Sequence, residues 1–347
     1  MGNPFTLSFG KKPIEEIARP VQITEILDAF TAEPVNQQIY MITGVRGTGK
    51  TVLLTDISNR LRNAEDWIVV ELNPAADLLQ GLAAKLARSE KLSELMRKAK
   101  ISLSLPDLGI ELAPGAMTAD LETAIIDMLE RMKQNGKRLL VSVDEVTNSD
   151  GMRIFASAFQ MFIRRELPIF LLMTGLYENI EDLQNEKNLT FLYRAPKITL
   201  SSLNMNAIAS RYRSLFHLEK EDAAEMANLT KGYPFAFQAL GYLTWEQGGR
   251  YREVLDSYRQ YLEEFVYEKI WSELSAKDRQ LAAGIAESET KEVQDIAARA
   301  QILQQEIYPY RKRLIRKGIV DTKERGKLRF SLPLFDQFVQ DQTKSYS

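Results

Sequence analysis

The sequence contains no cysteine and a single histidine, His217, in 347 residues. The first absence excludes disulfides, thiolate catalysis and cysteine metal sites. The second excludes a histidine-based triad and a histidine metal cluster, and leaves His217 with a surface role. No apolar run reaches the ~18 residues a membrane span needs. The N-terminus lacks the basic region and apolar core of a signal peptide, so a cytoplasmic protein with no membrane partner is expected. Gly2 and Thr6 fit a myristoylation pattern that fixes too little to count, beside a stiffening Pro4. An excess of either charge is also missing: 45 Lys and Arg face 47 Asp and Glu, a net charge of −2. There is therefore no global attraction to nucleic acid, and charge has to be read locally. Chemistry is left to Lys, Arg, Asp, Glu, Ser, Thr and backbone amides.

What is present is ordinary globular material, 45% apolar and 27% charged, long enough for two or three domains. Short Val/Ile/Leu-rich runs at Gln38–Thr43, Ile68–Leu72, Arg138–Val143, Ile169–Met173 and Lys197–Leu200 read as buried strands. Helical patterns lie between them at Lys50–Ala64, Ala75–Lys100, Thr118–Gln134, Met152–Glu166 and Tyr177–Leu192. This alternation predicts an α/β fold with a parallel sheet and helices on both faces. Lys100–Pro114 alternates polar and apolar residues around Pro-Asp-Leu-Gly and predicts an inserted hairpin. After Leu203 the strands stop. Helices are predicted at Asn204–Phe216, Lys220–Leu229 and Pro234–Glu246, followed by an amphipathic run, Tyr251–Leu274. The tail gives helices at Ser275–Ala286, Lys291–Ala300 and Tyr308–Lys317 and a hairpin around Glu324–Lys327. Ser275 with Asp278 makes a capping box, Gly318 suits a helix C-terminus, and Pro309 belongs in a first turn.

The stretch Gly44-Val-Arg-Gly-Thr-Gly-Lys-Thr51 fits G-x-x-x-x-G-K-[ST] between a predicted strand and a predicted helix. Gly44, Gly47 and Gly49 let the backbone turn tightly and aim amides at phosphate oxygens. The helix start adds partial positive charge. Val45, Arg46, Thr48 and Val52 complete the nucleotide contact, Lys50 bridges the outer phosphates, and the Thr51 hydroxyl binds magnesium. Arg138–Val143 carries Asp144 to the carboxyl edge of the sheet, where ligands bind in open α/β folds. Asp144 is suited to hold magnesium, and Glu145 to act as general base on water. Two further positions stay open between roles. Thr174, ending "PIFLLMTG", either contacts the γ-phosphate or water or is satisfied by its own turn. Arg194 is either an arginine finger reaching a neighbouring subunit or a surface residue.

With "GVRGTGKT", "LLVSVDE" and "LTKGYPFAFQALG" on the page, the chain resembles the archaeal-type ATPases. These are STAND-class P-loop NTPases, kin to AAA+ origin-binding initiators. The triplet Gly232-Tyr-Pro234 resembles the G-x-P motif of the STAND helical lid. The resemblance implies that Pro234 lies against the nucleotide and reports its phosphate state. It also implies an extra strand between the two Walker strands, assigned to Ile68–Leu72, and an adenine pocket supplied by the N-terminal segment through Arg19 and Pro20. No lid arginine plays a second sensor, and the proline motif stands where initiators have one.

The expected organisation is a P-loop core at 1–203, a helical lid at 204–264 and a winged helix-turn-helix at 265–347. Arg311, Lys312, Arg313, Arg316 and Lys317 on its last helix, with Lys323, Arg325, Lys327 and Arg329 on the wing, make a basic stripe for double-stranded DNA. Tyr308 and Tyr310 offer apolar-faced contacts. The competing role for this module is protein contact, self-assembly or autoinhibition. The expected activity is ATP hydrolysis with ATP/ADP and Mg2+, driving lid and winged-helix movement. The alternatives are a nucleotide-gated switch with negligible turnover, and a small-molecule kinase, against which the long lid and tail argue.

Overall fold

The computed structural model describes residues 2–8, 13–89, 118–322 and 324–344. The expected hairpin at Lys100–Pro114 and Lys323 of the wing lie outside them, as does the far end of the helix predicted at Ala75–Lys100. The described residues form two compact units. One comprises 20–43 and 50–199; the other comprises 1–19, 44–49 and 200–347. Among the described residues no helix is long and apolar enough to cross a membrane.

The first unit is a five-stranded parallel sheet. Its strands are β1 (Ile39–Thr43), β2 (Trp67–Leu72), β3 (Arg138–Val143), β4 (Ile169–Gly175) and β5 (Lys197–Thr199), in the order β2-β3-β4-β1-β5. In register, Thr43 stands beside Gly175 and Val143 beside Met173. The strand between the two Walker strands is therefore β4, which corrects the assignment of Ile68–Leu72; that segment is the edge strand β2. The burial explains why. All seven residues of β4 are buried, as a strand covered on both faces requires. In β2, Glu71 is exposed. Helices α1 (Pro20–Thr31), α2 (Lys50–Arg62), α3 (Leu78–Ala87), α4 (Thr118–Gln134) and α5 (Asp150–Arg164) belong to this unit. So do α6 (Tyr177–Gln184) and α7 (Thr190–Tyr193), into which the run expected as one helix divides. Helix α1 was not foreseen, although Pro20 opens it and Ile23, Ile26 and Phe30 are buried at helical spacing.

The second unit holds α8 (Met205–Phe216), α9 (Lys220–Thr230) and α10 (Pro234–Glu246), at the expected places. The run Tyr251–Leu274 is not one helix. A 3₁₀ turn (Tyr251–Val254) leads into α11 (Leu255–Leu262), then a π turn (Glu263–Tyr267), then α12 (Glu268–Ser272). The insertion turns Val266 and Tyr267 inward beside Leu262 and Ile270, all four buried. Next come α13 (Ala276–Glu287), α14 (Val293–Arg299) and α15 (Ile307–Arg316), then an antiparallel pair of β6 (Val320–Asp321) and β7 (Arg329–Phe330). A further bridge joins Glu292 to Lys327. This is the element order expected of the tail. A closing helix, α16 (Phe335–Lys344), was also not expected; Phe335 packs edge-on against Tyr267 with ring centroids 5.0 Å apart.

The N-terminal segment is anchored to α10 in the same unit. Asn3 donates to the Tyr242 carbonyl at 3.1 Å, and the Thr6 amide to Gln238 at 3.0 Å. A Cβ at Gly241 would come within 2.4 Å of the Phe5 ring, so only glycine admits this close approach.

Candidate nucleotide site

The loop 44–49 turns on Gly47 (φ 74°) and Gly49 (φ 83°), a left-handed conformation that costs a side-chain-bearing residue. Its carbonyls are held in series. Val45 O accepts from Thr48 Oγ1 at 2.7 Å, Arg46 O from Tyr233 Oη at 2.5 Å, Gly47 O from the Phe235 amide at 3.1 Å and Thr48 O from Arg19 at 3.3 Å. The amides of Gly47 and Gly49 donate to no group among the described residues. Unpaired backbone donors in a glycine loop are what an anion would satisfy. The loop leads along the chain into α2, whose first turn carries no acidic residue to compete with one. There Lys50 is only 8% exposed.

Thr51 Oγ1 donates to Asp144 Oδ2 at 2.8 Å. The second carboxylate oxygen accepts from the Thr174 hydroxyl and from the Glu145 amide. The Glu145 amide also reaches Thr174 Oγ1 at 3.1 Å. Strand order explains the meeting, because β4 lies beside β3 and delivers Thr174 to the same sheet edge as Asp144. Thr174 is thus satisfied by Asp144 and Glu145 across neighbouring strands, not by its own turn. Glu145 is exposed and takes φ 55°, a left-handed backbone in a non-glycine residue of the kind that clusters at functional sites. A hydroxyl and a carboxylate at one edge are hard oxygen donors of the set that suits magnesium shared with phosphates.

A family model described as AAA ATPase domain matches residues 17–165. A second model, described as Domain of unknown function (DUF8462), matches residues 264–339. No curated protein sequence matches the chain. Among solved structures, a Walker-type ATPase of Pyrococcus abyssi matches with a TM-score of 0.67 at 14% identity, over 94% of this chain and 96% of that one. The ORC2 protein of Aeropyrum pernix, in ADPNP–ADP complexes, matches with a TM-score of 0.59 at 16% identity, over 98% of each chain. At such identities the likeness is one of fold, and it runs nearly end to end.

The structure places the remaining candidates as follows. Val52 is half-buried in the first turn of α2. Arg19 donates to Ser201 O at 2.7 Å as well as to the loop, and burial lowers its pKa from the usual arginine value. Pro20 is exposed at the start of α1. Pro234 is half-buried at the first position of α10, between the two residues that touch the loop. Arg194 is exposed, with no side-chain partner among the described residues. Two residues were missed. Tyr233 was read only as the spacer of Gly-Tyr-Pro, although it is buried and its hydroxyl bonds the loop. Glu273 pairs with Arg46 at 2.7 Å, and no sequence signal pointed to it.

The basic stripe on α15 is partly committed to the fold. Arg313 Nε donates to Asp278 Oδ1 at 2.8 Å, and Asp278 is only 1% exposed. Ser275 caps α13 as expected, but the Asp278 carboxylate accepts from the Ser275 hydroxyl and from Arg313 instead of returning to the Ser275 amide. Lys317 reaches Glu273 O at 3.5 Å and Lys327 pairs with Glu324 at 2.8 Å. Lys312 sits over the Tyr308 ring. Arg311 and Arg325 make no polar side-chain contact among the described residues.

Proposed function

We propose that the chain binds ATP with magnesium and hydrolyses it, and that the change of phosphate state moves a lid (204–264) and a winged helix (265–347) relative to the core (1–203). The observation that carries this is the Thr51–Asp144 hydrogen bond at the carboxyl edge of a parallel sheet, within an AAA ATPase domain. Lys50 and the amides of 44–49 hold the phosphates, with Arg19, Pro20 and Pro234 at the nucleotide's periphery. Thr51 and Asp144 hold the magnesium ion, which when bound offsets phosphate charge. Glu145 takes the proton from water as its oxygen bonds to the γ-phosphorus and the bond to the β–γ bridging oxygen breaks. Thr174 fixes the Asp144 carboxylate and the Glu145 backbone. Arg194 is the candidate to stabilise transferred charge in a neighbouring copy.

Support for coupling comes from Arg46, which ties the loop to Glu273 at the entrance to the tail. For the tail, double-stranded DNA remains the proposed partner, through Arg311, Lys312, Arg316, Lys317, Arg325 and Lys327. A protein partner is the second reading, favoured by the exposed apolar residues that precede and open α15, Leu303 (60%) and Tyr308 (64%).

Steady-state phosphate release tests turnover. Glu145→Gln is expected to lower the rate by about 100-fold, the scale of one lost acid–base group, while ATP binding persists. An unchanged rate would remove Glu145 from the role of base, and a wild type that releases no phosphate would leave the nucleotide as the ligand of a non-hydrolysing switch.

A further inference from the structure

The loop's amides and carbonyls are linked by covalent geometry. A trans peptide sets C=O and the following N–H on opposite sides of its plane, and the only cis peptide among the described residues is Glu33–Pro34. Holding the Arg46 carbonyl to one side therefore presents the Gly47 amide to the other. The same holds for the Thr48 carbonyl and the Gly49 amide. Among the described residues these two amides donate to no group, and the donors on the far side of their peptides are the Tyr233 hydroxyl and the Arg19 guanidinium. Both donors are well fixed. Tyr233 is buried, and a Cβ at Gly47 would meet its hydroxyl oxygen at 2.2 Å, so the ring closes directly on the loop. Gly232, at φ 74°, lets the chain before Tyr233 approach residues 202–203, where a Cβ would lie 2.8 Å from the Leu203 carbonyl.

We propose that Tyr233 and Arg19 are positioning residues of the phosphate site: by gripping the outward carbonyls of Arg46 and Thr48 they hold the Gly47 and Gly49 amides ready for phosphate oxygens. This rests on the nucleotide reading above and deepens it. The lid residue that matters before ligand arrives is then the tyrosine of Gly-Tyr-Pro, through its hydroxyl. Without that hydroxyl, the 46–47 peptide rotates among several orientations, and only a fraction of molecules presents the amide. Apparent affinity falls by that fraction.

The test is titration of the full chain with a fluorescent ADP analogue and magnesium. It uses Tyr233→Phe, Arg19→Met, the loop variant Lys50→Ala, and Tyr258→Phe as control. Tyr258 is also a buried tyrosine; it donates to the Leu229 carbonyl at 2.9 Å and not to the loop. Tyr233→Phe is expected to raise Kd about tenfold, as loss of one buried hydrogen bond allows, and Arg19→Met to act in the same direction. Tyr258→Phe is expected to lower the melting temperature with Kd unmoved. The proposal is overturned if Tyr233→Phe binds within about twofold of wild type, or if Tyr258→Phe weakens binding equally, since both fall short of a loop-specific hydrogen bond. Binding lost in Lys50→Ala but kept in Tyr233→Phe overturns this proposal alone. No binding by the wild type overturns the nucleotide reading with it.

Discussion

Asp144 shows how much one side chain can organise. Its carboxylate gathers Thr51 from α2, Thr174 from β4 and the backbone of Glu145, so three chain segments converge on two oxygens. Lys50, next to Thr51, is nearly buried despite its charge. A buried ammonium calls for compensating charge or hydrogen bonds, and the phosphates of a nucleotide are proposed to supply part of that compensation. Replacing it should remove the ligand's grip without dismantling the sheet. The expectation is that Lys50→Ala abolishes the rise in melting temperature that ATP and magnesium give the wild type, a rise equivalent to about 2.7 kcal/mol at a hundredfold excess over Kd. Differential scanning fluorimetry with and without ATP checks it, and an undiminished shift would count against the site.

Among the elements, the contact of α15 with α13 gives the sharpest prediction. Arg313 and Arg311 are two residues apart on α15, yet one is bound to a buried carboxylate and the other has no polar partner among the described residues. Arg313→Met strands Asp278 in the protein interior, so a loss of about 2–4 kcal/mol in urea unfolding is expected, below the cost for a fully buried pair because Arg313 is half-exposed. Arg311→Met should change stability by less than about 0.5 kcal/mol. Equal effects would mean that the Asp278 contact contributes nothing. Elements were largely legible in the sequence where pattern alone decides. Arg138–Val143 and Thr118–Gln134 match their predicted bounds, and Pro234–Glu246 starts at a proline that cannot sit deeper in a helix. The π turn at Glu263–Tyr267 was not legible, because one extra residue in a turn leaves the surrounding amphipathic pattern almost intact.

Across the molecule, near-neutral net charge makes any DNA association local to the tail. Changing Arg311, Arg316 and Arg325 to Glu should weaken retention of double-stranded DNA. The slope of log affinity against log salt should flatten by about 0.9 for each phosphate that the variant no longer neutralises. Fluorescence anisotropy across a salt series measures both. A wild type that never retains DNA at low salt would assign the tail to protein binding. Unlike Arg311 and Arg325, Arg313 is held by Asp278 and is a poor probe of binding, a distinction that the run Arg311-Lys-Arg-Leu-Ile-Arg-Lys317 conceals.

The sequence by itself determined the phosphate loop, the strand that leads to Asp144 and the alternation that builds a parallel sheet. Each depends on residues close in the chain: glycine's access to positive φ, the helix that follows a lysine, apolar runs of strand length. Tertiary structure alone decided that β4 and not β2 lies between the Walker strands. It also brought Thr174 to Asp144, Tyr233 to a carbonyl 187 residues away and Glu273 to Arg46. The order of strands and the reach of one hydroxyl depend on how separate segments pack, and no local pattern encodes which buried segment will lie beside which.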